Sequence, residues 1–363
     1  VTTQQKALLV GAGPMGREWL RALAERDDVE VVGLVDLDEA AARAALDARG
    51  LTAAASGPAI ESIVDGAGPD FVVDVTAPAA HHPVTMTALR LGLPVLGEKP
   101  LAATLAEALE LVAAAEVHGR LFMVGQSRRY EPHAARFREL VAGAGPVGIL
   151  TAAMYRAPRF GGFRDVMDHP LLLDMAVHAF DAARWFLDAD PVGVYCEEFN
   201  PTWSWYRGAA AASATFEMTT GARFVYTGSW CSPGHETSWN GEWRASGATG
   251  SVLWDGDGPP LGVTPSDADG GPYGIRGVLD EFLAALRTGS TPTGECHDNL
   301  STLAMVHAAV GSARERRHVR VADVLAAAHE EACRRAVGPV RDRLRSWSTL
   351  PPTAAGARQV HPG

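Results

Sequence analysis

Residues 6–16 read Lys6-Ala7-Leu8-Leu9-Val10-Gly11-Ala12-Gly13-Pro14-Met15-Gly16, and Trp19, Leu20, Leu23 and Ala24 follow at helical spacing. An apolar run, a glycine turn and an amphipathic stretch in that order make strand, tight turn, helix. Gly11 lets the chain turn sharply, Gly13 lets the backbone approach a bound pyrophosphate, and Gly16 lets the helix pack closely on the strand. Pro14, Met15 and Gly16 open the helix, whose N-terminal amides and dipole suit a phosphate. A second apolar run, Val29 to Val35, ends in Asp36, twenty residues past Gly16. A carboxylate there accepts hydrogen bonds from the ribose hydroxyls and repels a 2′-phosphate. Leu37 and Asp38 follow it, with no Arg. The expected cofactor is NAD in preference to NADP.

Further apolar runs at Phe71 to Val75, Pro94 to Leu96 and Leu121 to Val124 alternate with alanine-rich helical stretches. This alternation predicts an α/β fold that opens with a Rossmann domain, a parallel sheet covered by helices on both faces. From about Ser127 the pattern changes. A helix at Ala134 to Val141, a turn at Gly145-Pro146 and a helix around Leu171 to Leu187 precede strands rich in Trp, Tyr and Phe between Gly193 and Leu253. They predict an α+β domain with a large open, mostly antiparallel sheet. Residues 255–274 are rich in Gly, Pro and Asp and read as a loop, followed by helices at Val278 to Arg287 and Asn299 to Glu315. The expected division is a dinucleotide-binding domain at 1–125, a substrate-binding and oligomerisation domain at 126–325, and a C-terminal helix with a frayed tail at 326–363.

The chain has 363 residues, 47% hydrophobic and 21% charged, which suits ordinary globular domains. A net charge of −11 argues against nucleic acid and anionic membranes as partners. The first strand starts about six residues in, leaving no room for a secretory leader, and no apolar run reaches transmembrane length. A cytoplasmic location is expected. Cys196, Cys231, Cys296 and Cys333 are far apart and form no Cys-x-x-Cys pair, so they read as reduced packing residues, and no metal site is expected.

Lysine occurs only at Lys6 and Lys99, against thirty arginines. In a chain so biased toward Arg, Lys99 is either left by chance of codon usage or does something a guanidinium cannot, since an ammonium is a compact charge able to exchange its proton. The second concentration of chemistry is Leu173-Asp174-Met175-Ala176-Val177-His178-Ala179-Phe180-Asp181. On an α-helix, Asp174, His178 and Asp181 share one face. A histidine flanked by carboxylates has its tautomer fixed and its charged form favoured, which suits a general acid or base near neutral pH. The same spacing also suits a buried polar cluster.

Taken together, these motifs resemble the Gfo/Idh/MocA family of dinucleotide-dependent oxidoreductases. The resemblance rests on the glycine turn with Asp36, Thr76-Ala77-Pro78 with His81 or His82, and Glu98-Lys99-Pro100. It also rests on Val124-Gly125-Gln126-Ser127-Arg128-Arg129-Tyr130 and Asp174-x-x-x-His178-x-x-Asp181. It runs in order from about residue 6 to residue 320. It implies that Lys99 lies beside the nicotinamide and the reacting hydroxyl, with Asp174 and His178 flanking the substrate. It puts Thr76, Ala77, Pro78, Glu98 and one of the two histidines on the cofactor side, and it implies a homodimer or homotetramer built through the second domain's sheet. The chain departs from the family's glycine triplet before the Asp, reading Asp168-His169-Pro170-Leu171-Leu172-Leu173 instead.

The expected reaction moves a hydride between nicotinamide and a secondary hydroxyl of a sugar, amino sugar or cyclitol, the Arg- and Ala-rich composition suggesting secondary-metabolite chemistry. His178 or Lys99 serves as proton acceptor. Tyr130, Tyr155, Arg156, Asp165 and Trp230, with Arg159, Asp168 and His235, are candidate substrate contacts. The Trp residues from Trp203 to Trp254 equally suit a sheet core or subunit interface. Two rival readings are a glycosidase that retains its NAD and a non-catalytic dinucleotide sensor.

Overall fold

The structure is a computed structural model, and it describes residues 4–262 and 273–351. The stretch expected as a loop at 255–274 and the tail expected to fray fall partly outside them, at 263–272 and 352–363. The chain forms two compact units. The first comprises residues up to Gly125, Val278–Leu300 and the segment from Ala328 onward; the second comprises Gln126–Gly277 and Ser301–Ala327.

In the first unit the chain runs β1 (Gln5–Val10), α1 (Pro14–Ala24), β2 (Val29–Val35), α2 (Glu39–Asp47), β3 (Ala55–Gly57) and α3 (Val64–Ala67). It continues through β4 (Phe71–Asp74), α4 (Pro78–Arg90), β5 (Val95–Gly97), α5 (Leu105–His118) and β6 (Phe122–Val124). The strands form one sheet in the order β3-β2-β1-β4-β5-β6, with every neighbouring pair parallel. Ala7, Leu8, Leu9, Val72 and Val73 are at most 1% exposed. Burial on both faces explains why these strands read as continuous apolar runs. The order reverses between β1 and β4, where a sheet of this kind binds its ligand at the carboxyl ends of the strands.

In the second unit α6 (Ala134–Gly143), β7 (Val147–Tyr155), α7 (Val177–Leu187) and β8 (Pro191–Phe199) precede β9 (Ala211–Met218), β10 (Arg223–Ser229), β11 (Glu242–Gly247) and β12 (Gly250–Trp254). The later elements of the chain are α8 (Gly274–Thr288), α9 (Cys296–Glu315), β13 (Val319–Arg320), α10 (Val321–Arg335) and α11 (Gly338–Ser346). The second sheet has the order β12-β11-β7-β10-β9-β8-β13. Only β7 and β10 pair in parallel; the other five pairs are antiparallel. Its core contains Phe180, Phe216, Phe224 and Tyr226, none of them exposed.

Residues Val278–Leu300, expected in the second domain, pack with the first unit. Phe282 meets Phe71 edge to face, with ring centroids 5.4 Å apart, and Asp280 pairs with Arg26. The segment from 326 is also more than one helix and a tail, since α11 follows α10. Glu116 of α5 anchors it, accepting from Arg343 Nε at 2.6 Å and Trp347 Nε1 at 2.8 Å. Glu116 Oε1 also lies 3.0 Å from His297 Nε2, and Glu295 faces the other ring nitrogen at 2.8 Å. Burial opposes the charge on His297, but hydrogen bonds to the two glutamates outweigh it and push its pKa up to about 9. The raised value makes this contribution full below the unfolded pKa of about 6.5, and it disappears as pH rises toward 9. The stability gap between wild type and His297→Gln in urea unfolding should therefore be roughly 2–3 kcal/mol at pH 6 and shrink steadily toward pH 9.5.

Candidate active site

The glycine turn lies at the carboxyl end of β1. Gly11 has φ +110°, and a Cβ there would come within 2.7 Å of the Val75 carbonyl oxygen, so only glycine fits between β1 and β4. A Cβ on Gly16 would lie 2.0 Å from the Gly11 carbonyl oxygen, so this position fixes the close approach of α1 to β1. At Gly13 a Cβ would meet nothing within 4 Å, which leaves open space at the helix entrance. Gly13 is the N-cap of α1 and Pro14 its first residue, with no side chain capping the end. The turn thus has the open backbone and uncapped amides that a pyrophosphate needs. Asp36, at the end of β2, accepts from Ala12 N at 2.7 Å and Asp38 N at 2.9 Å. It therefore stands beside the turn and fits the ribose-binding role. Leu37 is 94% exposed and makes no competing wall.

Thr76, Ala77 and Pro78 form the link from β4 into α4, with Ala77 as N-cap and Pro78 opening the helix. Buried Asp74 holds this link by accepting from Thr76 N at 3.2 Å and Thr76 Oγ1 at 2.7 Å. His81 and His82 part company. His81 is 3% exposed, and its ring nitrogens face Pro100 O at 2.7 Å and Thr76 O at 3.0 Å. His82 turns instead to Glu110, 2.9 Å away. Of the two, His81 is the one beside the Thr76 turn. Glu98 accepts from the Trp19 indole at 2.8 Å and from Lys99 N at 3.1 Å, so its carboxylate braces the turn that carries Lys99.

In the second unit, Leu171–Ala176 forms a π-helical turn that runs into α7 at Val177. Asp174 lies in that π-helical turn while His178 and Asp181 lie in α7, so the three are not on one continuous α-helix as expected. Asp181 is fully buried, with its carboxylate gripped by Arg129 through Nε at 2.7 Å and Nη2 at 2.8 Å and by Thr302 Oγ1 at 3.0 Å. It is part of the interior. Asp174 is 9% exposed and accepts from Arg164 Nε at 2.7 Å. His178 lines a cavity together with Arg128, Met175, Tyr226, Trp239 and Asn240. Arg128 donates to Asn240 Oδ1 at 2.6 Å; burial pushes its guanidinium pKa down, opposed by Glu131 and Asp257.

The five substrate candidates are not among the residues lining this cavity. Trp230 is fully buried, packed against Phe160 and Trp239 with centroids 6.3 and 5.9 Å away. It fills the interior and presents no free ring face. Tyr155 ends β7 and is fastened through its backbone to Thr237. Arg156 stacks 4.2 Å over the Trp239 ring and pairs with Glu236 at 3.0 Å, so it reaches the cavity only by supporting Trp239. Asp165 lies on the turn Gly162–Val166, and Tyr130 closes the turn Ser127–Tyr130. Arg128, Arg164, Trp239 and Asn240 were not selected from the sequence. Arg128 lies within a quoted motif and Trp239 within the Trp set read as sheet core or interface, whereas Arg164 and Asn240 gave no spacing signal.

Among the described residues no helix is long and apolar enough to cross a membrane. Glu295, Cys296 and His297 offer ligand atoms within 4.8 Å of one another. His297 Nε2 is engaged by Glu116, and burial drives the Cys296 thiol well above its usual pKa.

Residues 5–126 match the model of an oxidoreductase family with an NAD-binding Rossmann fold, and residues 155–253 match the Gfo/Idh/MocA C-terminal domain. The rhizopine catabolism protein MocA of Rhizobium meliloti is 29% identical, over 83% of this chain and 92% of its own. A D-apiose dehydrogenase of Paraburkholderia graminis is 27% identical, over 87% and 89%. The crystal structure of GenD2 from gentamicin A biosynthesis, in complex with NAD, superposes with a TM-score of 0.76 at 22% identity, covering 88% of this chain and 96% of that one.

Proposed function

Because the chain belongs to the Gfo/Idh/MocA family of NAD(P)-dependent oxidoreductases, we propose that it moves a hydride between NAD(H) and a secondary hydroxyl of a sugar, amino sugar or cyclitol. The observation that carries this reading is that the chain has Lys99 within Glu98-Lys99-Pro100, Asp174 and His178 four residues apart, and a glycine turn open at Gly13. A protein that only sensed dinucleotide would need the turn and no proton-transfer groups. Relatives that act on apiose and inositol, by their names, and a structural neighbour from aminoglycoside biosynthesis point to polyhydroxylated rings or chains.

When bound, the nicotinamide supplies the hydride acceptor or donor. The remaining chemistry belongs to the chain. Oxidising a carbinol leaves a hydroxyl proton to remove, and His178 takes it as general base. Asp174, itself fixed by Arg164, favours the imidazolium that results. Lys99 donates a hydrogen bond to the oxygen as negative charge gathers there. In the reducing direction the same groups return the proton to the carbonyl oxygen.

Asp36 favours NAD over NADP. Its carboxylate hydrogen-bonds backbone amides beside the turn, which leaves a 2′-phosphate facing a negative charge. Asp36→Ser should lower kcat/KM with NAD by about 10–100-fold, the range for losing hydrogen bonds to a charged group, while use of NADP rises. Unchanged discrimination between the two dinucleotides would remove Asp36 from this role. We further assign the protein to the cytoplasm, as four unpaired cysteines suit a reducing compartment. Exposed Ile149, Tyr195, Phe199 and Leu253 on strands of the second sheet support a homodimer or homotetramer.

The function is tested by following nicotinamide absorbance with NAD⁺ or NADP⁺ against inositols, hexoses, amino sugars and aminoglycosides. Turnover with one member is expected. Sugar release from a glycoside without accumulation of NADH would contradict the dehydrogenase reading.

A further inference from the structure

Lys99 sits between two residues that are each tied to a different helix. On one side, the Glu98 carboxylate accepts from Trp19 Nε1 of α1 at 2.8 Å and from Lys99 N at 3.1 Å. On the other, the Pro100 carbonyl lies 2.7 Å from Nδ1 of His81 on α4. The opposite edge of the same ring lies 3.0 Å from the Thr76 carbonyl. Carbonyl oxygens only accept, so the ring donates to one of them through whichever nitrogen carries hydrogen and packs edge-on against the other. Asp74, 1% exposed, accepts from Thr76 Oγ1 at 2.7 Å and from Thr85 Oγ1 of α4 at 2.9 Å. His81 is therefore a buried strut between the β4–α4 link and the Glu98-Lys99-Pro100 turn.

We propose that His81 is a positioning residue: its buried ring, wedged between two main-chain carbonyls within hydrogen-bond distance of its two nitrogens, fixes the Lys99 turn relative to the Thr76-Ala77-Pro78 link. The role rests on the reading of Lys99 given above. A single peptide segment leaving the carboxyl end of a strand has backbone freedom, and Lys99, just past β5, has a long flexible side chain. Holding the carbonyl just after Lys99 and the carboxylate just before it removes most of the first freedom. The strut also couples that segment to Thr76, in the link that the family resemblance places along the cofactor. Misplacement of a reacting group by about 1 Å costs on the order of 10²-fold in rate. His82, one position along, does not substitute, because its ring is committed to Glu110.

The test compares His81→Leu and His81→Gln with wild type. The leucine variant removes both polar contacts, and the glutamine variant keeps an N–H donor within reach. For the substrate that supports turnover, kcat should fall about 10–100-fold in His81→Leu, with KM and the dissociation constant for NAD⁺ changing less than about 3-fold. His81→Gln should recover part of the loss. An unchanged kcat in folded His81→Leu would overturn the proposal, as would a parallel rise in KM and NAD⁺ dissociation constant without loss of kcat. An independent readout needs no activity: NMR of the ¹⁵N-histidine-labelled wild-type protein should show a His81 ring N–H that exchanges slowly with water, as a donor held by a buried main-chain carbonyl does. A His81 ring with no such protected N–H would overturn the strut even if the leucine variant fails to fold. If wild type turns over no substrate, the NMR result still decides the strut, and the assignment of Lys99 fails separately.

Discussion

Lys99→Arg should lose turnover almost as completely as Lys99→Ala, by about 10²–10⁴-fold in each case. An arginine keeps the positive charge but replaces a compact ammonium carrying three rotatable donors with a planar fork that stays protonated. If Lys99 only balanced charge, a chain with thirty arginines would tolerate one more. The proposed role is to donate to one oxygen and, if the proton must move, to exchange it. Glu98, held by Trp19, and Pro100, facing His81, confine the backbone from which the side chain starts. A longer, wider head group cannot be accommodated there by moving the turn. Steady-state rates from NADH absorbance, read alongside melting temperatures to exclude unfolding, give the comparison. Near-normal turnover in the arginine variant would remove Lys99 from the chemistry.

Asp181→Ala should be the most destabilising of the substitutions considered, at about 3–5 kcal/mol, the range for removing one partner of a buried ion pair. Arg129 is 7% exposed and makes two parallel bonds to Asp181, which is itself fully buried. The loss leaves the guanidinium without that carboxylate, in surroundings where its hydration cannot be restored. Thr302 Oγ1 also loses an acceptor, and Arg184, 7% exposed, donates to the same hydroxyl at 3.0 Å. These contacts join the turn Ser127–Tyr130, α7 and α9 within the second unit. The expected fall in melting temperature is on the order of 10 °C. A variant that melts with wild type would show that the pair contributes nothing net. Because Asp181 lies one turn beyond His178, a folded but weakened Asp181→Asn protein should also lose part of its turnover.

The Rossmann sheet was legible because its strands are buried on both faces and so are continuous apolar runs; Val29 to Val35 appears in the structure with the same limits. β3, three residues of Ala55-Ser56-Gly57, has no such run and escapes a reading based on hydrophobic pattern. The glycine turn was legible for a different reason: close backbone approach at Gly11 and Gly16 admits no side chain, and that demand is written in residue type. Long-range partners were not legible. Nothing in the spacing connects Asp181 to Arg129, 52 residues earlier, and the histidine-carboxylate pattern suggested a neighbour on the same helix instead. The π-turn at Leu171–Ala176 was equally invisible, because one extra residue per turn leaves the apolar pattern almost unchanged over six residues. His81 and His82 are identical in type and adjacent, and only packing separates a strut from a part-buried pair with Glu110. Likewise Val278–Leu300 carries an ordinary amphipathic helix, and its apolar face does not say which unit it covers.

The most direct test of hydride transfer to carbon is isotopic. The protein is incubated with NADH deuterated at the transferring position of C4 and with keto forms of the cyclitols and sugars in the panel, and the products are weighed by mass spectrometry. The account predicts one deuterium on the new carbinol carbon per NAD⁺ formed, with the reaction abolished in Lys99→Ala. Product formed without deuterium, or with the label retained in the nicotinamide while a glycosidic bond is cut, would contradict it.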